Sequence, residues 1–284
     1  MARISLLTGA GAWASNEEWA ALVARPVVTL RELATRLEAA MVVCLAEASG
    51  PAVHEVRRVS RKMEAQMGLL QRVGARLPEK KMSKVGKQLR KLLRAAGRVR
   101  DLDVQEEMVA SLAVKHRAEK SDAEELGARL KKKRERAAEK LLKLLEKRQG
   151  KVALAIEGMM EALEAHAAVH VGVEAMLAAA DAAFRESVGR AAGESSEDER
   201  LHGVRKAAKV ARYQAEGVSG SARATAEAKR YQKLQKVGGS WHDWMEMSGV
   251  VGGALGKGHA MSEEAKRREA VGRGRFRKLI GEGG

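Results

Sequence analysis

The 284-residue sequence has a single cysteine, Cys44, so no intrachain disulfide can form. That usage fits a reducing compartment. Only eight residues are aromatic: four Trp, two Tyr and two Phe. Readers of single-stranded nucleic acid stack bases on such rings, so their scarcity weighs against that class. No apolar run approaches 18 residues, which excludes an ordinary membrane-spanning helix and membrane insertion through one. No stretch alternates apolar and polar residues with a period of two, so no strand is expected. Acidic residues are the scarce charge, with 37 Asp and Glu against 53 Lys and Arg, a net +16. Such an imbalance repels itself in a compact chain unless anions offset it. It points to a polyanionic partner: nucleic acid, an anionic membrane surface or inorganic phosphate chains.

What the sequence has in quantity is Ala, Leu, Lys, Arg and Glu, all good helix formers. The fold class is therefore all-α. Residues 1–28 read as an N-terminal extension, loop plus a short helix after Asn16. The opening MARISLLTGAGAWA resembles a signal peptide only faintly, since Thr and Gly break its apolar stretch, and a cytoplasmic protein is expected. TLRE at 29–32 reads as a capping box opening a helix to about Ala48. Gly50 and Pro51 break the chain, and a second helix runs to about Gly74. A third follows from Lys80. SDAE at 121–124 caps a helix to 148, and further helices are expected at 151–166, 170–191, 197–218, 223–237 and 262–280. GVVGGALGKGH at 249–259 reads as a Gly-rich loop. It lacks a preceding strand and a GK[ST] ending, so it is no P-loop.

The charge is patterned. VHEVRRVSRK at 53–62, wound as a helix, places Arg57, Arg58 and Arg61 within about 60° of His54. Val56, Val59, Met63, Met67 and Leu70 fall on the opposite face. From Lys80 to Arg100 there are nine basic residues and no acidic ones. Lys80, Lys84, Lys87, Lys91, Arg94 and Arg98 lie within about 40° of one line along the helix. Aligned like charges destabilise a helix by a few tenths of a kcal/mol per pair, and a merely solvated face would interleave Glu. The helix at 121–148 does interleave both signs.

LHGVRKAAKVARY at 201–213 repeats the opening pattern. His202, Arg205 and Lys209 carry the spacing of His54, Arg57 and Arg61, Lys206 matches Arg58, and Arg212 joins the same face. A second pair follows in order: Gly97, Arg100 and Asp101, then Gly239, His242 and Asp243, both reading G-x-x-[R/H]-D. Two motifs recurring in the same order predict two related helical halves, 29–150 and 151–284, packed together.

The paired H-x-x-R-x-x-x-[R/K] motifs and the G-x-x-[R/H]-D segments behind them, L-x-x-A-G-x-x-R-D-L-D-V and L-Q-x-x-x-G-x-x-H-D, resemble the CHAD domain family, the conserved histidine α-helical domain. The resemblance covers roughly residues 20–280. It implies two pseudo-symmetric helical bundles around a basic cavity and surface, and binding of inorganic polyphosphate at polyphosphate granules. It puts His54, Arg57, Arg61, Arg94, Arg100, His202, Arg205, Lys209 and Arg212 at motif positions. With the flanking cations Arg58, Lys62, Lys84, Lys87, Arg90, Lys91, Arg98, Lys206, Lys233 and Lys236, these form the expected polyphosphate-binding set. Glu64 and Val210 stand where the family often has a basic residue. The histidines either donate to phosphate when protonated or hold a structural hydrogen bond. Asp101, Asp103 and Asp243 are expected to orient nearby cations.

No enzyme is expected. Some relatives carry a triphosphate tunnel domain with E-x-E-x-K, but EDERL at 197–201 lacks the Lys and reads as an acidic helix start. HEVRR at 54–58 lacks the second His of a zincin. His166 and His170 stand at i, i+4 with no carboxylate or Cys near them, which favours packing over metal binding. Neither a metal nor another cofactor is expected. Two rivals remain open: a DNA- or RNA-binding basic helical protein, with nucleic acid otherwise a weaker competitor, and a membrane-surface module, which would want Trp or Phe anchors these faces lack.

Overall fold

The computed structural model describes residues 23–74, 77–115, 120–165, 171–218 and 221–281. Among them the chain forms helices α1 (Pro26–Ala46), α2 (Gly50–Val73), α3 (Glu79–Lys115), α4 (Lys120–Ala165), α5 (Val173–Ala192), α6 (Glu197–Glu216), α7 (Ala222–Leu255) and α8 (Ala260–Gly281). Two residues of β1 (Val23–Ala24) pair antiparallel with two of β2 (Val171–Gly172). A ladder this short leaves no periodicity in the sequence, so it was not expected. The extension at 1–22 and the pair His166 and His170 lie outside the described residues.

The α1–α4 bundle packs α2 between α1 and α3 and sets α4 against α1 and α3. Leu30, Leu37, Val56, Met63, Leu89, Leu92, Leu141 and Ile156 fill its core. In the second group α5 packs on α6, α6 on α7, and α7 on α8. Its Trp241 stacks on Phe276 with ring centroids 6.0 Å apart. Several seams join the groups, among them Leu69 of α2 against Val173, Met176 and Leu177 of α5. The tip of the α3–α4 hairpin packs Val109, Leu112, Leu126 and Leu130 against Met247, Val251, Met261 and Ala265 of α7 and α8. Elsewhere α2 lies against α6. Burying each such large apolar side chain contributes roughly 1.5–3 kcal/mol.

Several local expectations are corrected. Pro26 occupies the first turn of α1, so the helix begins before TLRE and also takes in residues 26–28. Thr29 is therefore no cap; its hydroxyl donates to the Gly217 carbonyl at 3.2 Å. Lys120 opens α4, so Ser121 sits inside the first turn rather than capping it. A break near 150 is absent. The 46 residues of α4 run through Gly150 because Leu141, Leu145, Val152, Ile156 and Met159 continue one buried face across it. That burial outweighs the ~1 kcal/mol an interior glycine costs. The expected loop at 249–259 is helical to Leu255, held by Met247 and Val251 against α8, and turns only at Gly256, with φ +91°. Trp241 and Trp244 consequently sit mid-helix, Trp241 as core and Trp244 beneath the Arg268 guanidinium, 4.6 Å from its ring centroid. The start of α6 agrees with its reading: Ser196 and Glu199 form a reciprocal capping box.

Candidate functional site

The α2–α6 seam is fastened by two glutamines. Gln66 Nε2 donates to the carbonyls of Tyr213 at 2.6 Å and Gln214 at 3.1 Å. In return Gln214 Nε2 donates to the Ala65 carbonyl at 3.4 Å. Gly217 lets this approach happen, since a Cβ there would stand 2.0 Å from Gln66 Nε2. With their apolar faces committed to the cores, α2 and α6 turn their basic faces toward the same space.

That space is a cavity of about 770 Å³. Helices α2 and α3 supply His54, Arg57, Arg61 and Arg100; α6 supplies His202, Arg205, Lys206 and Lys209. His242 and Asp243 enter from α7, and Ala65, Gly68 and Gly239 give stretches of wall without bulk. The charges do not balance. Arg57, Arg61, Arg100, Arg205, Lys206 and Lys209 share the lining with four carboxylates, Glu64, Asp101, Asp243 and Glu246, and Arg100 also reaches Glu107 beyond it at 3.2 Å. Asp101 lies 3.6 Å from Arg57, and Glu246 takes the His242 ring at 3.2 Å.

Several buried nitrogens are left over. The Nε atoms of Arg57, Arg61 and Arg205 and the Nδ1 atoms of His202 and His242 are buried with no hydrogen-bond partner among the described residues. Each buried orphan costs about 1–3 kcal/mol, more for a charged group. Burial, then the charges of Arg61, Arg57 and Arg205, pushes the Lys209 amine from its ordinary 10.5 to about 7. Burial also lowers Arg61 and Arg205. Burial and the neighbouring His242 ring, 4.6 Å away between centroids, push His202 down to about 4. His54 is lowered by burial and then by Arg100. Asp243 is raised by burial against the pull of Arg205. The shifts of the lysine, arginines and histidines all favour less positive charge in the empty cavity, while that of Asp243 favours its neutral acid. An anion with several oxygens would reverse the cationic shifts and satisfy the loose donors.

The structure sorts the expected residues into three groups. His54, Arg57, Arg61, Arg100, His202, Arg205, Lys206 and Lys209 line the cavity together. Arg58, Lys62 and Arg212 are held by carboxylates instead. Arg58 pairs with Glu55 at 2.7 Å, while Lys62 and Arg212 share Glu216 at 2.7 and 2.6 Å. Lys84, Lys87, Arg90, Lys91, Arg94 and Arg98 on α3, and Lys233 and Lys236 on α7, are exposed and outside the cavity lining. Of the departures, Glu64 lines the wall and Val210 its exposed rim. Asp103 is turned away from the cavity lining, to Arg134 at 2.9 Å. Sequence reasoning left out Glu246 and Gln235. Glu246 stands one helical turn after His242, a signal that was there to be used. Among the described residues no group of three or more His, Cys, Asp or Glu is placed to hold a metal ion, and no helix is long and apolar enough to cross a membrane.

Comparison with known proteins places the chain among relatives. The CHAD domain family model matches residues 29–250. The solved structure of PptA from Streptomyces chartreusis aligns with a TM-score of 0.66 at 17% identity, covering 90% of this chain and 98% of that one. The crystal structure of the CHAD domain from the plant Ricinus communis aligns with a TM-score of 0.63 at 16% identity, covering 92% of each chain. At those identities the likeness establishes the fold. A search of curated protein sequences returns no match.

Proposed function

The chain belongs to the CHAD domain family, which is linked to polyphosphate, and on that premise we propose that its central cavity binds inorganic polyphosphate without chemically altering it. The observation that carries the reading is the set of buried, unpartnered nitrogens: the Nε–H donors of Arg57, Arg61 and Arg205 and the Nδ1 atoms of His202 and His242. They converge from α2, α6 and α7 on one space whose lining has six cations and four carboxylates. A linear phosphate chain offers oxygens at every link and no bases. Arginine meets such oxygens in bidentate fashion, and Lys209 supplies a point charge. Ala65, Gly68 and Gly239 let the chain lie against backbone. Tyr213 is the single Phe, Tyr or Trp among the lining residues, which supports a ligand without bases over a single-stranded nucleic acid. In the cell such a module would sit with cytoplasmic polyphosphate granules.

The test is a titration at ~150 mM salt with long-chain polyphosphate and with duplex DNA and RNA of matched charge. A variant with Arg57, Arg61, Arg205 and Lys209 changed to Gln runs alongside. Tight polyphosphate binding that survives excess DNA and is lost in the variant is expected. Preference for either nucleic acid, or undiminished polyphosphate binding by the variant, would overturn the proposal.

A further inference from the structure

Lys209 lines the cavity with no ion pair or hydrogen bond of its own among the described residues. Its neighbours fare differently: Lys62 pairs with Glu216 at 2.7 Å, and Arg57 has Asp101 at 3.6 Å. Around Lys209 stand other cations. Arg205 lies one helical turn before it on the same face of α6, and Arg57 and Arg61 approach from α2. Among the carboxylates of the lining, Asp243 pulls on its charge, but less than each of these three arginines pushes against it. Burial and these cations leave the amine half neutral at pH 7, about a thousandfold more so than an ordinary lysine. An amine desolvated beside other cations is one of the ordinary forms of a lysine nucleophile.

Two kinds of group therefore share one space. The buried Nε–H donors of Arg57, Arg61 and Arg205 lack an acceptor, and beside them stands a free amine. The arginines suit phosphate oxygens, and the amine suits an electrophilic carbon. An acyl phosphate, the mixed anhydride of a carboxylic acid and phosphate, carries both in one small molecule. A cavity of about 770 Å³ has room for it next to the lysine.

We infer that the cavity is also a self-acylation site: an acyl phosphate such as acetyl phosphate docks its phosphate on the arginines and transfers its acyl group to Nζ of Lys209. The inference shares with the polyphosphate reading the premise that these arginines hold phosphate oxygens. In the transfer, the amine nitrogen forms a bond to the carbonyl carbon and the bond from that carbon to the phosphate oxygen breaks. The phosphate leaves with that electron pair and with the proton of the amine. The product amide is neutral and bulkier than the amine. Acylation therefore removes one cation from the lining, takes up part of the space and weakens polyphosphate binding, while bound polyphosphate shields the lysine.

The experiment incubates the full chain at pH 7 with acetyl phosphate and, in parallel, with N-acetoxysuccinimide, a neutral donor that has no phosphate to dock. Peptide mass spectrometry follows acetylation of Lys209 and of the exposed Lys84 and Lys87. With acetyl phosphate, Lys209 should react at least about tenfold faster than either. The preference for Lys209 over Lys84 should be at least about fivefold greater with acetyl phosphate than with the neutral donor, because only the former is held beside the amine. That excess should vanish in R57Q/R205Q, shown to be folded by circular dichroism, and long-chain polyphosphate should slow the reaction of Lys209. Lys209 reacting no faster than Lys84 with acetyl phosphate, or showing the same preference with both donors, overturns the inference on the wild-type protein alone. Fast acetylation that depends on Arg57 and Arg205 but is not slowed by saturating polyphosphate upholds the acylation site and overturns the polyphosphate reading instead.

Discussion

Lys209 should make the empty protein less stable, and replacing it with methionine should show this. Burial among Arg57, Arg61 and Arg205 takes its amine from 10.5 to about 7. That displacement corresponds to at most about 5 kcal/mol against the charged form. At pH 7 the lysine escapes part of it by being half neutral. Local relaxation leaves on the order of 1–2 kcal/mol to be recovered in Lys209→Met, or a rise in Tm of about 2–6 °C for a chain of this size. The direction with pH follows from linkage. The unfolded chain holds the proton more tightly, so this residue's destabilising effect is largest below pH 7 and fades as pH rises toward 10.5. The gain from Lys209→Met should therefore shrink steadily from pH 7 to pH 10. Differential scanning fluorimetry in low-salt, phosphate-free buffer measures the stability, and calorimetric titration with polyphosphate measures the binding. The variant should be more stable when empty, bind polyphosphate at least about fivefold more weakly by loss of one charged contact, and gain less Tm from the ligand. A Lys209→Met protein that melts below wild type when empty would refute the reasoning, since the lysine would then be a stabilising member of the site.

Polyphosphate binding should take up protons, because an anion restores the charge on Lys209 and on His202, which stand at about 7 and about 4 in the empty cavity. Affinity should then fall between pH 6 and pH 8, by at most about tenfold per pH unit for each proton taken up; calorimetry in two buffers of different ionisation enthalpy would report the uptake. Gly238→Ala should destabilise the fold by about 1–3 kcal/mol through overpacking, because its Cβ would stand 2.6 Å from the Phe276 ring. Adding Phe276→Leu should recover part of that loss in a double-mutant cycle followed by urea denaturation. Ser196→Ala removes the hydroxyl that accepts from the Glu199 amide at the start of α6 and should cost about 1 kcal/mol, read by the same denaturation without a matching change in polyphosphate affinity.

The cavity residues that share a helical period were legible before any coordinates. His54, Arg57 and Arg61, and again His202, Arg205 and Lys209, recur at intervals of three and four, and a helix must put such residues on one face. What happens when two such faces meet is not written at any one position. Lys62 and Arg212 look as available as their neighbours until Glu216 is seen to take both. Counting carboxylates across four helices is likewise a tertiary matter. The glycines misled for a related reason. Local rules charge each of Gly249, Gly252 and Gly253 its helix penalty, but the segment is decided by Met247 and Val251 burying against α8. In the same way Gly150 reads as a stop until the apolar faces on either side prove continuous.

The glutamine pair at the α2–α6 seam bears on how this protein becomes functional. Gln66 reaches backbone carbonyls 147 and 148 positions further along the chain. A contact of that separation closes late, after each group of helices has formed on its own local contacts. During synthesis the first four helices leave the ribosome with Arg57 and Arg61 exposed to water and free of strain. Only when α6 docks are these guanidiniums pressed against Arg205 and Lys209. The final step of folding thus brings like charges together, and a polyanion present at that moment would act as the template that lets the seam close.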